Sequence, residues 1–344
     1  WNLHQPLRHN FYFFLDLILA NIYLEIARED MKYLEIKAFY LIDQPIGMIA
    51  DLSSAIRGLW GRGLHKIYCY QKQLECSSCP LDNCTYYVLF EKQLSSSDQY
   101  HPYIIQSRVV NPFLIEAKFK FFGWVCDHSE KLIYSIINTN NMLLKREGNS
   151  YRLTLQKIED MNSNQIFSAD SEMITRPKLK MLSFRPEEVS LLEINFTTPL
   201  RQKHQGKLMS EFMWEPFAKS LINRIRFLNE HFNSNELNIP EQINIDGTTI
   251  KEENTYWSEK IRVSFRQESK MSIGGLLGNV VLADVSPEMI GMLKLGRYLH
   301  TGKQCTFGNG EFALRNLSQN QSVTENKSTP NQNKEIFLSD KSPP

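Results

Sequence analysis

The sequence predicts an α+β protein of two similar domains in tandem, and three observations carry that prediction. Apolar and polar residues alternate over Lys32–Ile42, the period of a half-buried strand, with Leu34, Ile36, Ala38, Tyr40 and Ile42 on one face. The polar stretch 159–189, with Asn162, Ser163, Asn164, Arg176, Pro177 and Pro186, then interrupts the pattern as a domain boundary does. Beyond it the same order of elements restarts, Leu192, Ile194 and Phe196 alternating with Glu193 and Asn195. At 344 residues the chain has room for two ordinary domains, each with its own core.

Pro45 and Gly47 end the first strand, and Ser53–Ile67 reads as a helix. Ile115–Val125 is a second strong strand, with Ala117, Phe119 and Phe121 inward and Glu116, Lys118 and Lys120 outward. A helix fits Ser129–Leu144, and Tyr151–Ile158 closes the first half as a strand. In the second half Pro199 stops the opening strand, and Phe217, Leu221, Ile225, Leu228 and Phe232 fall at helical spacing. Strands follow at Tyr256–Gln267 and near Leu276–Ala283. Ser286 caps a helix whose first position is Pro287, and Phe307–Leu314 is the last strand.

Both halves therefore read as strand–helix–strand–strand–helix–strand, the split βαβ unit of ferredoxin-like and RRM-like domains. The first domain is expected over 31–160, a linker over 161–189 and the second domain over 190–315. Residues 316–344 are rich in Ser, Asn, Lys and Pro, a composition too poor in apolar side chains to offset the entropy of ordering. They read as a disordered tail or a linker. Residues 1–30 read as an N-terminal extension. Its apolar run Phe11–Ala20 is too short to span a bilayer and contains Asp16, so no membrane is expected and the chain reads as cytoplasmic.

A net charge of +1 excludes a blanket nucleic-acid coat, so any RNA surface is a local patch. Of six cysteines, Cys69, Cys76, Cys79 and Cys84 fall within sixteen residues, unlike the spread of a secreted disulfide scaffold. Four thiolates in one short segment suit a tetrahedral structural Zn²⁺ that supports a knuckle over 69–84. An iron–sulfur cluster uses the same ligand count and stays open.

Three further stretches point to phosphate chemistry. Leu299–Gly310 places His300, Lys303, Gly302, Gly308 and Gly310 in one loop, where backbone N–H groups form a nest for phosphate oxygens. The helix beginning at Ser53 carries Arg57, Arg62, His65 and Lys66 beside Gly58, Gly61 and Gly63. Each glycine costs a helix up to ~1 kcal/mol against alanine, so glycines kept there mark a close backbone approach. Arg262, Ser264 and Arg266 share one face of a strand ahead of Gly274-Gly275, a polar stripe suited to phosphates. There is no P-loop, dinucleotide fingerprint, zinc-protease pair or nucleophile elbow. His101, His128, His204 and His231 stand alone and read as core or surface histidines.

Several runs occur in a telling order: Ser53-Ser54-Ala55-Ile56-Arg57-Gly58, Cys76-Ser77-Ser78-Cys79-Pro80 with Cys84-Thr85-Tyr86 and Phe90-Glu91, His101-Pro102-Tyr103, Phe196-Thr197-Thr198-Pro199-Leu200-Arg201, Arg266-Gln267 with Gly274-Gly275, and His300-Thr301-Gly302-Lys303 with Phe307-Gly308-Asn309-Gly310. Over roughly 31–315 this resembles the CRISPR-associated endoribonucleases of the RAMP superfamily, in the branch with a four-cysteine insertion. Asn309 departs from the pattern, standing where relatives often carry an apolar residue. The resemblance implies cleavage of CRISPR repeat RNA by 2′-hydroxyl attack, with no cofactor for catalysis. It implies His300 as the first catalytic candidate and His65 as the second, with Lys303 stabilising charge. Arg57, Arg62, Lys66, Arg262, Arg266, Gly302, Gly308 and Gly310 would contact RNA. Partners implied are CRISPR repeat RNA or crRNA, and an effector complex or a fused reverse transcriptase–integrase. A rival reading is a non-catalytic RAMP-type crRNA-binding subunit, and a third is a zinc-stabilised interaction module without RNA.

Overall fold

The computed structural model describes residues 30–48, 51–81, 84–91, 100–146, 148–171, 173–234, 237–259, 261–264 and 269–318. Most of the N-terminal extension, Arg266 and the tail from 319 lie outside them.

In the first domain β1 (Asp30–Ile42), α1 (Ser53–Tyr68), β2 (Tyr103–Asn111), β3 (Leu114–Phe122), α2 (Ser129–Ile137), β4 (Leu143–Arg146) and β5 (Asn149–Asp160) follow one another. The antiparallel sheet runs β2-β3-β1-β5-β4, which is the split βαβ order with β4 added at one edge. The helix expected to reach Leu144 ends at Ile137, and the chain turns through Asn141, held at φ 62°, into β4. Asn tolerates that left-handed conformation, which ends the helix and reverses the chain.

The segment read as a linker is partly sheet. β6 (Gln165–Ser168) pairs with β5, and β7 (Lys180–Ser183) pairs with the start of β1. Two-stranded pairing had no alternating signal to announce it there.

The second domain repeats the plan with β8 (Leu191–Leu200), the short hairpin β9 (Lys203–His204) and β10 (Lys207–Leu208), α3 (Trp214–Phe232), β11 (Thr249–Ser258), the hairpin β12 (Ile261–Ser264) and β13 (Ser269–Ser272), β14 (Gly275–Ala283), α4 (Pro287–Leu299) and β15 (Phe312–Asn316). Its sheet order, β11-β14-β8-β15, is again the split βαβ order. β8 passes through Pro199 because the register with β14 shifts between Leu276 and Gly278, and a bulge tolerates a residue without an N–H. β15 starts later than expected, since Cys305–Phe307 form a single helical turn and Gly308–Gly310 a bend. Order extends past 315: Leu317 N–H bonds to the Leu191 carbonyl (2.9 Å). No helix among the described residues is long and apolar enough to cross a membrane.

Two cores hold the molecule. One lies between the first sheet and its helices, with Leu34, Ile36, Trp60, Leu64, Phe119 and Ile133. The other joins the domains, setting Met31, Tyr33, Ile104 and Phe122 from the opposite sheet face against Phe217, Leu221, Ile225 and Leu293 of α3 and α4. The first sheet is therefore covered on both faces. Lys120, expected to face solvent by alternation, is 3% exposed for that reason.

Candidate RNA interface at the domain junction

α4 ends against an arginine. Arg224 of α3 is 1% exposed, and its Nε donates to the Leu299 carbonyl (2.7 Å), one of the orphan acceptors of the helix C-terminus. His300 follows at φ 58° and leads into the glycine-rich loop.

That loop faces the protein. Thr301 N–H bonds to the Gly310 carbonyl (3.1 Å), Lys303 N–H to Arg201 (2.7 Å), Gly308 N–H to Cys305 (2.8 Å) and Gly310 N–H to Pro199 (3.0 Å). Gly310 has φ +75°, and a Cβ there would lie 1.8 Å from the Thr301 carbonyl oxygen, so only glycine fits. The Gly308 carbonyl meets Gln106 of β2. Gly308 and Gly310 are buried, and Gly302 is half-buried. The phosphate nest expected of the whole loop is thus largely spent on closing it.

His300 sits at the junction of the domains and is fully buried. Its Nδ1 lies 3.1 Å from the Asn309 carbonyl and its Nε2 lies 2.9 Å from Lys120 Nζ. A carbonyl only accepts and an ammonium only donates, so Nδ1 carries the hydrogen, Nε2 the lone pair, and the ring is neutral. Burial, then Lys120, push its pKa down to about 4. Lys120 also donates to Glu311 Oε1 (2.7 Å), and Gln106 Nε2 donates to Glu311 Oε2 (3.0 Å). Burial works against the charge on Glu311, but its hydrogen-bonding and ionic partners outweigh it and hold the carboxyl far below its usual range. Both ring nitrogens being engaged, this histidine clamps the loop to β3.

α1 presents two faces. Arg57 points inward: its Nε donates to the Tyr103 hydroxyl (2.9 Å), and its guanidinium lies 4.2 Å from the Phe90 ring centre and 5.7 Å from that of Phe307 in the loop. Gly63 allows α1 to approach α2, since a Cβ there would lie 2.2 Å from the Ser135 carbonyl oxygen. Arg62 and Lys66 are exposed and His65 is half-buried, all three at helical spacing on one side. The His65 ring packs edge-on against Tyr86 (4.8 Å), which lines the same cavity as the cysteines. Lys303 is half-buried beside the loop. Arg262 lies on β12.

Cys69, Cys76, Cys79 and Cys84 line one cavity with Tyr68, Tyr86 and Leu74, and all four are free thiols. No group of three or more metal-ligating side chains among the described residues is drawn close enough to hold an ion. Burial, then Glu91, raise the pKa of the Cys76 thiol.

Sequence reasoning missed Lys120, Glu311, Gln106 and Arg224. Only Arg224 carried a signal: it falls three residues after Leu221 and four before Leu228, inside the apolar stripe.

Residues 194–312, which include the whole loop, match the family model described as CRISPR-associated endoribonuclease Cas6. The second domain is thus of the Cas6 endoribonuclease type. Residues 31–179 match the model of an AF_1859 N-terminal domain. No curated protein sequence matches it. Among solved structures it is similar to a Cas6 (TTHB231) product complex of Thermus thermophilus, at 11% identity and a TM-score of 0.52 over 82% of this chain and 100% of that one. That likeness shows the shared fold. A Cas6 (TTHA0078) substrate mimic complex gives 14% and 0.47 over 83% and 99%. A partial Cas6-RT-Cas1–Cas2 complex gives 12% and 0.48 over 83% of this chain and 46% of that one.

Proposed function

We propose that this chain binds CRISPR repeat RNA and cleaves it without a metal, generating guide RNAs. The observation that carries the reading is the Cas6 match over 194–312, whose loop is seated on α1 and β2. In the proposed step the 2′-oxygen attacks the adjacent phosphorus, the P–O5′ bond breaks, and the 5′-oxygen leaves with a proton. The products are a 2′,3′-cyclic phosphate and a 5′-hydroxyl.

Such a reaction needs a proton carrier that touches substrate and cations that offset phosphate charge. His300, the first candidate of the sequence, has neither ring nitrogen to spare. His65 supports the role better, being half-exposed with Arg62 one turn before it and Lys66 beside it. Single-turnover cleavage of a repeat hairpin in EDTA tests this. His65→Ala is expected to slow the step by ~10²–10⁴-fold, the usual range for a general acid or base. His300→Ala is expected to leave the rate from saturated complex near wild type. Equal rates for His65→Ala and wild type would remove His65 from the chemistry, and no cleavage by the wild type would favour the non-catalytic crRNA-binding subunit.

A structural zinc at the four cysteines is part of the same proposal. It is supported by their free state and shared cavity, and the ion would draw the thiolates together to brace the segment after α1. Association with a reverse transcriptase–integrase, as the complex named above has, is likewise proposed, and co-purification tests it.

A further inference from the structure

A second cationic site lies at the junction, apart from the exposed face of α1. Arg224 is 1% exposed; its Nε donates to the Leu299 carbonyl, while Nη2 is buried with no hydrogen-bond partner. Leaving a buried charged donor unmet costs more than an ordinary hydrogen bond contributes. The guanidinium lies 5.3 Å from the Tyr100 ring centre, an aromatic face and not a counter-ion. Arg57, half-buried on α1, bonds through Nε to the Tyr103 hydroxyl and stacks on Phe90. Neither arginine makes an ion pair among the described residues. Glu91, which acts on Tyr103, is taken by the Tyr86 hydroxyl (3.1 Å).

His101 links the two. It stands two residues before Tyr103, ring centres 5.3 Å apart, at the entrance to β2. The residues around it hold one arginine each: Tyr100, its chain neighbour, faces the Arg224 guanidinium, and Tyr103, whose ring it touches, accepts from Arg57; burial, then Arg57, then Arg224, depress its pKa to about 4. Arg57 and His101 belong to the first domain, and Arg224 to the second. Phe307 of the glycine-rich loop lies against Arg57. The cluster is complete only when the domains are docked as they are here.

Two forked cations beside an imidazole, neither with an ion pair among the described residues, match the charge of a tetrahedral oxyanion. We infer that Arg57 and Arg224 hold a phosphate group at the domain junction, beside His101, the group entering from the half-exposed Arg57 side. On the reading of RNA cleavage, on which the choice of ligand rests, it is one phosphate of the bound repeat. A free phosphate has the same chemistry, and the test separates the two sources.

The full chain is titrated with repeat RNAs that carry 2′-deoxy at the cleaved nucleotide and one neutral methylphosphonate, walked along the strand. In wild type, one position is expected to weaken binding by about tenfold, the scale of one charge-assisted contact. In Arg57→Gln the same substitution is expected to cost less than twofold, because its partner is gone. Arg224→Lys should fall between the two, and if it does not fold, Arg57→Gln alone decides. Inorganic phosphate, followed by ³¹P line broadening, is the second arm. Broadening by wild type and not by Arg57→Gln, without any RNA binding, keeps the site and sinks the RNA reading. Methylphosphonate costs that are the same at every position in both proteins, with equal phosphate binding, overturn the site, as does a wild type that binds neither.

Discussion

His300 illustrates how burial changes what a residue type means. The imidazole that the loop motif offers as a proton carrier is neutral because one nitrogen gives its hydrogen to Asn309 and the other takes one from Lys120. Its folded pKa of about 4 lies below the ordinary 6.5. Between those values the unfolded chain takes up a proton that the folded chain refuses, so stability falls as pH drops from 6.5 to 4. At about 1.4 kcal/mol per pH unit, the loss is of order 3 kcal/mol. His101, also depressed to about 4, acts in the same direction. Glu311, whose folded pKa is lowered, adds its own loss only below its ordinary 4.5. Urea unfolding at pH 7 and pH 5 should show this decline in wild type and a smaller one in His300→Asn. The same decline in both proteins would mean that His300 titrates freely.

At the scale of elements, the segment after α1 is the least self-supporting part of the first domain. Cys76–Ser78 form one helical turn and Tyr87–Glu91 another, and little strand or helix joins them. A cross-link through four thiolates would supply what packing does not. Purified protein is expected to carry about one zinc per chain, and Cys76→Ser to lower both metal content and melting temperature. Metal-free wild type as stable as the variant would end that proposal. α1 itself is secured otherwise, by Trp60, whose Nε1 donates to Ser135 (2.8 Å), and by the close approach at Gly63. Of its glycines, read as marks of close approach, Gly61 and Gly63 are so, against Phe90 and Ser135, whereas a Cβ at Gly58 would meet nothing within 4 Å.

At the scale of the whole molecule, the domains share one apolar core. Tyr33 and Phe122 of the first stack on each other, and Tyr33 packs edge-on against Tyr298 of the second (5.2 Å). Trp124 lies against Phe232 (6.4 Å). Separating the domains would expose that surface and strand the Lys120–Glu311 pair. One calorimetric transition is therefore expected for the full chain, with a van't Hoff enthalpy equal to the calorimetric one. Two resolved transitions would show that each half stands alone.

The period of the strands, the helical stripe of α3, the Ser286 cap and the polar break between the halves were legible because each is a local property of the chain. Alternation places a residue on a face, and spacing places it on a stripe. The loop motif and the order of short runs were legible in the same way, and they led to the family. What alternation does not contain is the identity of whatever covers a face. Lys120 reads as solvated by alternation, but His300 and Glu311 of the second domain meet it, and β2 carried no pattern strong enough to be marked at all, its Tyr103-Ile104-Ile105 run being buried on both sides. The orientation of the loop was decided by docking too: whether its N–H groups meet phosphate or protein depends on contacts with Arg201, Pro199 and Gln106, far away in sequence. The same docking sets Arg224 of the second domain against Tyr100, three residues before the Tyr103 that accepts from Arg57.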